Sequence, residues 1–183
     1  EERRSDGSTP LNIMYRVDGS SDLTEEIVEG FDGYRGSSPV RIGSGAADQR
    51  QLDMYGEFRD ALLLIDEAGY FLGNAGWADI IEIIDWLCDN WDRPEEGIWE
   101  TRGGQRRFVY GRLMTWVAFD RAIRIAINRS LPAPLQRWTE VRNELHRTIH
   151  DKGWNAEMAA FVQYEGSEVL DASLLLMPLV GFI

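Results

Sequence analysis

Carboxylates are the main raw material for chemistry in this chain of 183 residues. Cys88 is its lone cysteine, and His146 and His150 are its two histidines, so a nucleophilic triad has almost nothing to work with. The two histidines stand four apart on a predicted helix, but no glutamate follows His146 and two ligands are too few for a metal. They read as part of a solvated face, with His150 favoured near a helix C-terminus. Asp18, Ser20, Asp22 and Glu29 fall at calcium-loop spacings, yet Leu23 takes the place of the turn glycine, and a solvated loop is the better reading. Gly43, Ser44 and Gly45 open like a dinucleotide loop, but Asp48 stands at the sixth position and no alternating strand–helix pattern follows. No metal and no cofactor are therefore expected.

What remains is the stretch RPEEGIWETRGG, residues 93–104. Glu100 follows Trp99 and sits among Glu95, Glu96, Arg102 and two glycines. A carboxyl held against an indole and near other acids should keep its proton towards neutral pH. Tryptophan beside an acid also suits the gripping and protonation of a sugar, whose apolar face stacks on the ring. An ordinary loop with Trp99 tucked into the core fits the composition equally well.

The elements that must position this loop are helical. Apolar spacing from Asp48 predicts a helix through Leu52, Tyr55, Leu62 and Ile65, stopped at Gly69. A second runs from about Asn74 to Trp91, with Ile80, Ile81, Ile83, Ile84, Leu87 and Cys88 around much of its circumference. The third, about Phe108–Asn128, should be buried on most sides; the fourth, Pro134 to His150, carries one narrow stripe through Trp138, Leu145 and Ile149. A fifth is expected from Asp171 into the apolar run LLLMPLVGFI. Residues 1–47 read as an irregular arm with strand-like runs at Asn12–Val17 and Pro39–Ile42, and residues 48–183 as helices of one domain. The fold class is all-α. Alternation of enclosed and one-faced helices suits the two rings of a helical barrel, or a layered bundle.

Charge supports the layering. Residues 53–100 carry thirteen acids against Arg59 and Arg93, and residues 102–147 carry ten arginines against Asp120, Glu140 and Glu144. Two oppositely charged layers side by side explain this better than a nucleic-acid face, since the net charge is −12. The ten-residue apolar run is too short for a membrane span, and no signal segment opens the chain, so a cytoplasmic location is expected.

Several stretches, in order, resemble glycoside hydrolase family 15, the glucoamylase, glucodextranase and trehalase family. They are NIMYRVDG at 12–19, GYRGSSPVRIG at 33–43, AADQRQLDMYGE at 46–57, the loop at 93–104, WVAFDRA at 116–122, and FVQ at 161–163 through LDASLL at 170–175 and PLVGF at 178–182. The resemblance implies part of an (α/α)6 barrel whose inner loops form a pocket for a terminal glucose. It implies inverting hydrolysis of α-glucosides, with Glu100 as the general acid. Trp99 would line the sugar pocket, Tyr34 and Arg41 would lie on a substrate loop, and Arg102 would orient Glu100 or a hydroxyl. The expected substrate is a maltooligosaccharide, with trehalose as the alternative; a non-catalytic helical carbohydrate-binding module is a further reading.

Ser44, Arg107, Gly111 and Arg112 depart from the family's usual Asn, His, Ser and Lys. About five helices are expected where the barrel has twelve, and the family's general base lies beyond the PLVGF stretch. The chain therefore reads as a central fragment, inactive alone, whose apolar end could drive self-association.

Overall fold

The computed structural model describes residues 10–100 and 103–183, in two compact units divided between Arg50 and Gln51. In the first unit, strands β1 (Glu26–Ile27) and β2 (Arg41–Ile42) pair antiparallel, Glu26 opposite Ile42 and Ile27 opposite Arg41. Of the two strand-like runs, only the second contributes a strand. Asn12–Val17 leads instead into a turn, where Gly19 N–H donates to Arg16 O at 2.9 Å and Arg16 N–H to Ser20 O at 2.8 Å.

The second unit holds four helices: α1 (Asp53–Glu67), α2 (Gly73–Asn90), α3 (Val109–Arg129) and α4 (Leu135–Gly153). Burial of α3 is nearly continuous from Val109 to Ile123, as its sequence requires. Helix α1 lies directly against it: a Cβ at Gly56 would stand 2.0 Å from Met114 O, so glycine alone permits this approach. In α4 the stripe is narrow, with Trp138, Leu145, Ile149 and Gly153 buried. Helix α2 is less enclosed than expected. Only Trp77, Ile80, Ile84 and Leu87 are fully buried, because α2 meets α3 and α4 on one side, leaving Ile81, Ile83 and Cys88 half-buried.

The charge layers meet as ion pairs. Arg121 Nε reaches Asp60 Oδ1 at 2.8 Å and Arg137 reaches Asp89 Oδ1 at 2.7 Å, while Arg112 pairs with Asp92 and Arg129 with Asp66. Each joins an acid before the loop to an arginine after it.

The expected fifth helix does not form. Asp171 opens a short 3₁₀ turn, Ala172–Leu176, and the rest of the run proceeds through irregular turns. Pro178 has no N–H to donate, and Gly181 takes φ +73°. The run is split accordingly: Leu174, Met177, Val180 and Phe182 are buried, while Leu175, Leu179 and Ile183 are exposed. A small hairpin of β3 (Trp154–Asn155) and β4 (Ala160–Phe161) follows α4 and returns the chain to the start of α3, where Val109 N–H donates to Gln163 O at 2.9 Å.

Candidate active site

The segment between α2 and α3 is a loop pinched at its base. Glu95 N–H donates to Arg106 O at 2.9 Å, and Arg106 N–H returns a bond to Glu95 O at 2.7 Å. Within the loop Glu100 N–H donates to Gly97 O at 3.2 Å, a tight turn that leaves Glu100 at φ +49°. A left-handed conformation costs a side-chain-bearing residue about 1–2 kcal/mol, so the tip is strained.

Trp99 is 54% exposed, which rules out the reading that tucks it into the core. Its indole N–H is not spent on Glu100. It lies 3.0 Å from both Oδ1 and Oδ2 of Asp171, across 72 residues of chain. Asp171 in turn accepts from Ser173 N–H at 2.9 Å and from Ser173 Oγ at 2.7 Å. Burial pushes the Asp171 carboxyl up, but the hydrogen bonds from Ser173, Trp99 and Gln163 outweigh it and hold the group below its usual range.

Beneath the tip lies a group of acids. Glu95 is fully buried, and Leu52 N–H donates to its Oε2. Burial, followed by the charge of Asp53, raises its carboxyl to about 8, so it carries a proton at neutral pH. Gly111 makes room for it: a Cβ there would stand 1.6 Å from Glu95 Oε1. Asp53, also buried, is raised to about 6, first by burial and then by Glu57, with a further contribution from Glu100. Glu57 accepts from Tyr110 Oη at 3.2 Å. Burial, then Glu57, pushes the Tyr110 phenol up, so it stays a donor. The arrangement keeps a buried carboxyl, Glu95, raised well above the usual range and presents an exposed acid beside an exposed aromatic ring.

Of the residues singled out in the sequence, Trp99 and Glu100 stand together at this tip. Tyr34 and Arg41 belong to the first unit. Tyr34 is 81% exposed, with the Arg35 guanidinium 5.3 Å from its ring centre, and Arg41 Nε lies 3.4 Å from Glu25 Oε1. Arg102 lies outside the described residues. His150 is exposed, as a solvated face requires, whereas His146 is half-buried; both rings lie against Phe182, at 5.2 and 4.7 Å, where the end of the chain meets α4. Asp53, Glu95 and Asp171 were not singled out. Asp171 alone left a trace, in the Asp-Ala-Ser order that caps a turn.

The loop and helices have known counterparts. A family model described as glycosyl hydrolases family 15 matches residues 4–183. The chain belongs to that family. It is 38% identical over 173 residues to a trehalase of Thermoplasma volcanium, covering 94% of this chain and 28% of that protein. A trehalase of Mycobacterium tuberculosis is 34% identical over 174 residues, covering 95% of this chain and 25% of that protein. The chain thus spans about a quarter to a third of the length of these family members. Among solved structures, a glycosidase variant in complex with glucose superposes with a TM-score of 0.63 at 22% identity, over 81% of this chain and 41% of that one. The four helices are thus part of an α/α-barrel glycosidase fold. No helix among the described residues is long and apolar enough to cross a membrane.

Proposed function

We propose that the protein carrying this segment hydrolyses the glycosidic bond of an α-glucoside, with trehalose as substrate, and that Glu100 is its general acid. The observation that carries the reading is the loop itself: an acid on a strained, pinched tip beside a half-exposed indole, in a family whose business is glycoside hydrolysis. The preference for trehalose over maltooligosaccharides reverses the order expected from the sequence. It is supported by the curated relatives, which are trehalases from archaea and mycobacteria.

In this reading the indole face of Trp99 receives the apolar face of a glucose ring, and Glu100 donates its proton to the departing glycosidic oxygen. A second carboxylate activates water on the opposite face of the sugar, which inverts the anomeric configuration. The activity is proposed for the whole polypeptide, to which this segment of 183 residues contributes Glu100.

The test is a panel of trehalose, maltose, isomaltose and a long α-glucan on the whole natural polypeptide, beside its Glu100→Gln variant. Trehalose turnover lost in the variant, with trehalose still bound, supports both assignments. Turnover of maltose in preference to trehalose overturns the substrate, and an active variant overturns Glu100.

A further inference from the structure

Trp99 has little packing to hold it, since more than half of its surface is open. An exposed indole ordinarily samples several rotamers. Here its N–H is bound equally by both oxygens of one carboxylate, a charge-assisted contact that fixes the ring's edge and leaves its faces open. The carboxylate is itself immobile. Ser173 grips Oδ1 through N–H and hydroxyl. The contact of Asp171 thus reaches, across 72 residues of chain, the residue immediately before Glu100.

We infer that Asp171 is a positioning residue for the proton donor: by tying down the Trp99 indole it holds the left-handed turn that aims Glu100. The inference rests on the reading of Glu100 as the general acid. A second, purely structural role is visible, since Asp171 also caps the 3₁₀ turn. The two roles separate through Trp99. If Asp171 acts through the indole, its removal does nothing further once the indole N–H is gone.

The experiment is a double-mutant cycle on the whole natural polypeptide, with trehalose and maltose as substrates. Trp99→Phe keeps an aromatic face but deletes the N–H; Asp171→Ala deletes the acceptor; Asp171→Asn keeps one acceptor oxygen. Trp99→Phe and Asp171→Ala are each expected to lower kcat about tenfold with KM little changed, because a misaimed acid loses the transition state more than the substrate. The double variant should be no worse than either single one, and Asp171→Asn should recover most of the loss. Losses that multiply in the double variant, or a Trp99→Phe enzyme with unchanged kcat, overturn the inference. The Trp99→Phe result decides the matter even if Asp171→Ala does not fold. A wild-type polypeptide that hydrolyses none of the α-glucosides overturns the functional reading itself, and the inference falls with it. An active wild type with additive losses overturns the inference alone.

Discussion

Glu95 and Glu100 stand five positions apart in one acidic loop, and the fold gives them opposite conditions. Glu95 sits at the pinched base, fully buried, protonated, and matched to the empty space above Gly111. Glu100 sits at the tip, exposed, on a left-handed backbone beside an exposed ring. The base is a structural acid that behaves as a neutral hydrogen-bonding group. The tip is the acid proposed above to meet the glycosidic oxygen of the substrate. Burial shifts the ionisation of the acid at the base, the foundation on which the tip stands.

That contrast predicts a ranking of effects. The largest belongs to the tip: Glu100→Gln should lower kcat for trehalose by about 10²–10⁴-fold, the usual contribution of a general acid, with melting temperature unchanged. Next comes the space beneath Glu95. Gly111→Ala drives a Cβ into Glu95 Oε1, and its urea midpoint should report a loss of about 1–3 kcal/mol. Equal loss from alanine at an exposed helix position would show that no such constraint exists.

A smaller effect concerns pH. The Glu95 carboxyl is raised from 4.5 to about 8 in the fold, so between those values the folded chain holds a proton that the unfolded chain has released. Stability must then fall as pH rises through that window, and Asp53, raised from 3.8 to about 6, adds to the slope in its lower half. Thermal melts from pH 5 to 8 should show the decline, and Glu95→Gln should flatten it. The smallest effect is that same variant's kcat at fixed pH. An amide replaces a neutral acid of nearly the same shape and still accepts from Leu52 N–H, so turnover should stay within a few-fold of wild type. A collapse as deep as that of Glu100→Gln would erase the distinction between base and tip.

How much of this was legible depended on how far apart the interacting residues lie. The four helices follow from local apolar spacing, and much of the burial of α3 follows from its almost continuous apolar run, though Arg112, Thr115, Asp120 and Arg121 are buried with it. Trp99 and Glu100 were legible because they are neighbours in the chain. Asp171 was not, because its indole partner is 72 residues away and only the fold brings them together. The raised ionisation of Glu95 escaped for a similar reason: it depends on burial in the fold and on the charge of Asp53, which only the fold brings near. The fifth helix was over-read. Its residues are apolar enough, but an aspartate cap on a 3₁₀ turn followed by Pro178 leads the backbone elsewhere.

The backbone at Glu100 has a consequence for how this segment can change over generations. At φ +49° the position is one that glycine occupies without strain. Selection for folding alone would thus drift the tip towards glycine, and every such step would make a sturdier protein with no proton to give. On the function proposed above, it is the demand for a proton donor that sets a glutamate at this position in place of a glycine. Copies of the segment released from that demand should be recognisable by the exchange of this one residue before any helix shows decay.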